Sequence, residues 1–208
     1  MAAVILHTEA PEAGAFVADE VETARLRLRM FTPADLDRLC EITRHPEVMR
    51  YIGHGVPLSH EETLTNLNVI MNAFHRRGFG RWALERRDTG ALIGYCGLSA
   101  KNPEVGVEVA YLLAREEWGK GFALEAARAS LRYGFEKLVV DSIAGVALKG
   151  NSRSRKVLER LGMKFVFHAQ YFGFDCARYD LARADWRNDD SYYRVIKGSR
   201  QQAAGSMG

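Results

Sequence analysis

The alternation of apolar and polar positions changes period several times along the chain, and each change marks an element. Leu26-Arg27-Leu28-Arg29 alternates with period two, as a strand with one buried face does. Thr32-Pro33-Ala34-Asp35 then opens a helix: Thr32 suits the cap, Pro33 the first turn and Asp35 the positive helix end. Leu36, Leu39 and Ile42 supply its buried stripe, and His45-Pro46 stops it. Ser59-His60-Glu61-Glu62 is a capping box, and behind it Leu64, Leu67, Met71 and Phe74 recur at helical spacing.

The middle of the chain shortens its period. Residues 82–85 and 91–98 read as strands joined across the turn Arg87-Asp88-Thr89-Gly90. Residues 105–113 form a third apolar run, with Val107, Val109 and Tyr111 on one face and Gly106, Glu108 and Ala110 on the other. After Gly119-Lys120-Gly121, a helical stripe runs through Leu124, Ala127, Leu131, Phe135 and Leu138. Residues 143–147 read as a strand. Asn151 caps a short helix carrying Val157, Leu158 and Leu161, and Gly162 ends it. Residues 165–167 and 176–181 close the pattern as a hairpin. This order specifies an α/β (α+β) fold in a single domain, with a mixed, mostly antiparallel sheet flanked by helices. Residues 1–20 read as an irregular N-terminal arm, 21–187 as the domain, and 188–208 as a polar, disordered tail.

Composition narrows the partners. The chain has 208 residues, enough for one domain with a real core, and 47% hydrophobic with 26% charged residues fits an ordinary globular protein. A net charge of +3 is too small to argue for nucleic acid, and no aromatic platform accompanies Arg76-Arg77 or Arg86-Arg87. Cys40, Cys96 and Cys176 are odd in number and scattered, which fits free thiols in a reducing compartment. No apolar run reaches the ~18–20 residues of a membrane span, and the apolar start lacks a basic flank. A cytoplasmic protein, without membrane or nucleic-acid partner, is the expectation. The six histidines show no metal spacing, so no metal is expected.

Gly119-Lys120-Gly121 at the mouth of a helix poses the chemical question. A Walker A loop requires a first glycine where Ala114 stands and a Ser or Thr where Gly121 stands. A dinucleotide fingerprint requires its acid at the end of the second strand, whereas Asp141 precedes that strand. Two readings stay open: a turn without a ligand, or a pyrophosphate held by free helix N-terminal amides.

Trp118-Gly119-Lys120-Gly121-Phe122-Ala123 resembles the acetyl-CoA signature R/Q-x-x-G-x-G/A of the GNAT superfamily of N-acetyltransferases. Gly121 and Ala123 fill its small-residue positions. Trp118 replaces the usual Arg or Gln, as is familiar in the branch that acetylates ribosomal-protein N-termini. That branch also carries N-x-x-S-x-[RK]-V-L-E-[KR]-L-G-[FM], and residues 151–163, NSRSRKVLERLGM, match every fixed position. The opening residues 23–29 and Pro33-Ala34-Asp35 resemble the branch's start, so the resemblance covers roughly residues 23–186.

The resemblance implies acetyl-CoA as donor and an amine as acceptor, in a monomer or homodimer. The cofactor cleft would lie between two splayed central strands, those of Glu108 and Ile143. Amides of Gly119, Lys120, Gly121, Phe122 and Ala123 would take the pyrophosphate, and Asn151 would bond the cofactor arm or simply cap its helix. The amine attacks the thioester carbonyl directly, with no acyl-enzyme. At pH 7 deprotonation costs about 4.6 kcal/mol for a lysine amine but only about 1.4 for an α-amine. A strong base is thus optional for an α-amine. Glu108, alone among apolar residues, is the base candidate, against a rim glutamate paired with an arginine. Ser154 holds the position that serves the departing thiolate, with Tyr111, Tyr171 and Tyr179 as weaker candidates and Cys96 disfavoured as a nucleophile. Tyr51, His54 and Tyr171 lie in segments expected to shape the acceptor pocket. A peptide N-terminus and a small amine (polyamine, amino acid or antibiotic) both suit them. A non-catalytic acyl-CoA-binding module is the contrasting reading.

Overall fold

The computed structural model describes residues 18–171 and 173–198. A hairpin of β1 (Glu20–Thr23) and β2 (Leu26–Arg29) leads through a 3-10 turn (Pro33–Asp35) into α1 (Leu36–Thr43), α2 (Pro46–Met49) and α3 (His60–Arg77). A meander of β3 (Arg81–Arg86), β4 (Leu92–Ser99) and β5 (Glu108–Leu113) follows. Then come α4 (Phe122–Glu136), β6 (Ser142–Leu148), α5 (Ser152–Arg160), β7 (Lys164–Tyr171), β8 (Phe174–Ala182) and β9 (Tyr193–Ile196). Among the described residues the strands form one sheet, in the order β7-β8-β6-β5-β4-β3-β2-β1-β9. Its pairs are antiparallel except β5 with β6.

The sheet separates two apolar layers. Ile93, Cys96 and Leu98 of β4 pack with Leu124, Ala127 and Leu131 of α4. Leu92 and Tyr95 of the same strand pack with Leu39 and Ile42 of α1 and with Leu67 and Ile70 of α3. β4 is therefore apolar on both faces, as a central strand must be. Burial of a single Leu or Phe contributes about 1.5–3 kcal/mol. With Leu131 and Phe135 both buried, α4 is held far more by packing than by the ~1 kcal/mol an N-cap adds. On β6, a Cβ at Gly145 would lie 2.6 Å from Leu158 Cδ2, so the glycine lets α5 sit close against the strand.

Most predicted elements are present, with instructive departures. Pro46, read as a helix stop, also occupies the first turn of α2, because its missing N–H costs nothing there. On α3 the buried face is Thr63, Leu67, Ile70 and Phe74, whereas Leu64 is exposed. Thr63 takes the interior position through a 2.9 Å hydrogen bond to Thr43. The polar segment after residue 187 is not all tail: β9 pairs with β1 over Glu20↔Ile196 to Thr23↔Tyr193. Neither strand shows a long pattern of its own, because each is stabilised by the other. Residues 1–17 and 199–208 of the expected arm and tail lie outside the described residues.

Candidate active site

The one parallel junction creates an opening. β5 and β6 pair only at Glu108↔Ala144, where the Ala144 N–H donates to Val107 O at 2.8 Å. Each stays fully paired to its outer neighbour, β5 to β4 from Glu108 to Leu113 and β6 to β8 from Ser142 to Leu148. Because the strands run the same way and pair near their starts, they diverge toward their C-terminal ends. β5 leads from there into α4, and β6 into α5. The two helix entrances meet across the opening: Arg153 of α5 lies 5.0 Å from the centre of the Trp118 ring, which Arg115 also covers at 4.8 Å. The Trp118 indole N–H is already committed to Leu113 O at 3.0 Å.

α4 begins without a side-chain cap. Gly121 is its N-cap, in the left-handed region at φ +85°, and Gly119 stands at φ +79°. A Cβ at Gly119 would meet nothing within 4 Å. A Cβ at Gly121 would lie 3.4 Å from Arg25 Nη2, so the uncapped first turn has a guanidinium beside it and no capping oxygen, an arrangement suited to an anion. Neighbouring side chains brace the turn. Arg25 donates to Lys120 O at 2.9 Å, pairs with Glu125 at 2.6 Å and lies 4.5 Å from the Phe122 ring centre. Lys120 pairs with the buried Glu117 at 3.1 Å, so it is neither bare nor simply solvated. Phe122 is buried and Ala123 half-buried.

Glu108 and Ser154 lie on opposite sides of β5. Val109 and Tyr111 pack with the α4 layer, and alternation turns Glu108 to the other face. The Glu108 carboxylate takes no hydrogen bond or ion pair among the described residues. Burial pushes its carboxyl above the usual carboxylate range, and Arg81 and Lys101 offset this only through space. The rim glutamate paired with an arginine is therefore not what the structure contains.

Ser154 Oγ is 2.8 Å from the Tyr111 hydroxyl, which also donates to Ser154 O at 3.1 Å. Burial raises the Tyr111 phenol well beyond its ordinary value, with the Ser154 bond a smaller opposing effect. Asn151 caps α5, its Oδ1 accepting the Ser154 N–H at 3.1 Å, and its amide NH2 has no partner among the described residues. Cys96 is buried and its thiol is pushed up to about 12 by burial, which removes it as a nucleophile.

A cavity of about 600 Å³ lies beside the α5 entrance. Arg50, Tyr51 and residues 53–55 line one wall, and residues 148–150 and 174–175 the other. Tyr51 Cε1 would lie 3.6 Å from a Cβ at Gly150, the residue before Asn151. Tyr51 and His54 are thus on this cavity. Tyr171 is not: it is buried, with its hydroxyl 3.4 Å from Arg178 Nη1. Tyr179, also buried, bonds Arg155 and Glu159.

Sequence reasoning passed over Arg25, Arg81, Lys101 and Arg153. Their spacing carries no signal, since each reaches its partner only through the folded chain. Tyr111 stood among weaker candidates, yet it is the residue that touches Ser154.

Residues 25–164 match the acetyltransferase (GNAT) domain. The N-acetyltransferase YoaA of Bacillus subtilis is 31% identical over 145 residues, covering 69% of this chain and 82% of YoaA. The FsC-acetyl coenzyme A-N(2)-transacetylase of Aspergillus fumigatus is 28% identical over 183 residues, 80% of this chain and 77% of its own. The crystal structure of a GNAT-family acetyltransferase from Bacillus anthracis superimposes with a TM-score of 0.69 at 24% identity, covering 82% of this chain and 99% of that one.

Proposed function

The chain belongs to the GNAT acetyltransferase family, and on that premise we propose that it transfers an acetyl group from acetyl-CoA to an α-amine, first of all the N-terminus of a protein or peptide. The observation that carries this reading is the opening between β5 and β6, with an unpartnered Glu108 at its closed end and the uncapped entrance of α4 at its open end. Bound acetyl-CoA supplies the thioester that the amine attacks.

The chain's own residues divide the remaining work. First-turn amides of α4 at Gly121, Phe122 and Ala123 hold the diphosphate, and Asn151 offers its amide NH2 to the cofactor arm. Glu108, kept partly protonation-prone by burial, accepts the proton an ammonium must lose. The Ser154–Tyr111 pair would serve the departing sulfur, the Ser154 hydroxyl turning its proton from the Tyr111 oxygen toward it. An α-amine suits this modest base, because deprotonation at pH 7 costs it only about 1.4 kcal/mol.

A small-molecule amine is the second reading. The Aspergillus fumigatus relative, by its name, acetylates an N(2) position of FsC, and its likeness extends over 80% of this chain. The test is thiol release from acetyl-CoA across N-terminal peptides, amino acids, polyamines and aminoglycosides, with products identified by mass spectrometry. Release with peptides but not polyamines supports the first reading. Release only with small amines favours the second, and binding without amine-dependent release sinks both.

A further inference from the structure

The cavity beside the α5 entrance carries a charge imbalance that acetyl transfer by itself does not use. Arg50 and Lys149 stand on its two walls. Neither has a carboxylate within ion-pair distance among the described residues. Other cations around the α5 entrance are engaged: Arg115 pairs with Glu47, Arg178 pairs with Asp180, and Arg153 lies over the Trp118 ring. Asp175 is the single acid of the lining, so its one negative charge leaves the wall net positive beside Arg50 and Lys149. Its Oδ1 accepts from Gln170 Nε2 at 2.5 Å. Between the two cations the surface is aromatic. The Arg50 guanidinium lies 5.3 Å from the centre of the Tyr51 ring, and the His54 and Phe174 rings are 5.9 Å apart.

An amine acceptor arrives as an ammonium ion, a further cation in a lining whose two cations already outnumber its one acid. Polyamines and aminoglycosides would multiply that repulsion. A carboxylate on the acceptor offsets it by pairing with Arg50 or Lys149. Lys149 is two residues before Asn151, so this wall of the cavity adjoins the entrance of α5, which borders the β5–β6 opening.

We infer that the cavity selects a zwitterionic acceptor: an amine that also carries a carboxylate, with a flat or apolar portion against Tyr51 and Phe174. This rests on the acetyl-transfer reading above. The carboxylate belongs either to an acidic residue close behind a peptide N-terminus or to a free amino acid.

Thiol release separates these cases with four acceptors: an alanyl peptide with acidic residues following, the same peptide with lysines there, free glutamate, and spermidine. The acidic acceptors exceed their cationic counterparts in kcat/KM by about tenfold or more, mainly through KM. The Arg50→Glu, Lys149→Glu double variant inverts the order, while its acetyl-CoA dissociation constant, measured by calorimetry, stays that of the parent. Should the double variant not fold, Lys149→Gln alone raises KM for the acidic acceptor several-fold and leaves spermidine unaffected or improved. The peptide and free-glutamate arms identify the source of the carboxylate. A preference for lysine peptide or spermidine, or an order the variants do not alter, overturns the inference while acetyl transfer stands. If acetyl-CoA binds but no acceptor of either charge releases thiol, the transfer reading fails and this inference falls with it.

Discussion

α3 and α4 are long helices of the same domain that begin in opposite ways. At α3, Ser59 Oγ accepts the Glu62 N–H at 3.2 Å and Glu62 returns the favour to the Ser59 N–H at 2.7 Å. Two of its orphan donors are consumed within four residues. At α4 the N-cap is Gly121, which has no side chain to offer and holds a left-handed backbone. α5 resembles α3, with Asn151 as its cap. α1 and α2 also lack a side-chain cap, so what sets α4 apart is its left-handed glycine entrance at the end of the β5–β6 opening, where free donors suit a ligand. The cost is affordable in structural terms because α4 buries Phe122, Leu131 and Phe135.

Substitution at the open entrance should produce the largest effect. Gly121→Val places a branched side chain over the amides and is expected to raise the acetyl-CoA dissociation constant about a hundredfold, the loss of one or two charge-assisted bonds. The left-handed backbone adds about 1–2 kcal/mol of strain, visible as a lower Tm. Gly121→Asn tolerates that backbone far better, so it reports obstruction with little strain. An unchanged dissociation constant in both variants refutes the anion role.

Glu108→Gln comes next. At pH 7 kcat should fall about tenfold, less than a general base commonly contributes, because an α-amine is already partly neutral. The deficit should shrink above pH 8 as the amine deprotonates unaided. A loss independent of pH means Glu108 is structural. Stability gives a second readout with its own sign. Burial raises the folded-state pKa of Glu108, so its favourable contribution exists below the unfolded value and is lost as pH rises through the folded one. Glu108→Gln should therefore raise Tm at pH 7 and leave it unchanged at pH 4.

Smaller effects test the thiolate side and the control helix. Ser154→Ala and Tyr111→Phe each interrupt one hydroxyl pair and should lower kcat about threefold to tenfold, and the double variant should lose little more than either alone. Additive losses would separate the two roles. Ser59→Ala at the capped helix should cost about 1 kcal/mol of stability, roughly 2–4 °C in Tm, with acetyl-CoA binding and turnover unchanged. Altered cofactor binding there would erase the contrast between the helices.

Much of this was legible before the fold was known. The capping box at Ser59, the Asn151 cap, the turn at residues 87–90 and the limits of α3, α4 and α5 depend on contacts within a few residues. Leu64 was misread because helical spacing alone cannot distinguish adjacent faces, and the Thr43–Thr63 hydrogen bond chose the face. β9 was missed because a four-residue strand in a polar segment has no signal apart from its partner; its Arg194 meets Glu22 across 172 residues of chain.

From the sequence by itself came the local elements, the glycines at the α4 entrance and the motif likeness that named a donor. Only the tertiary structure decided that β5 and β6 part after one pair, that the half-buried Glu108 carboxylate makes no hydrogen bond or ion pair among the described residues, that Tyr111 meets Ser154, and that Arg50 and Lys149 share a cavity. The reason is range. Caps, turns and helical stripes are set by neighbours a few residues apart, whereas the burial of a charge and the meeting of two walls depend on strands brought together from distant parts of the chain.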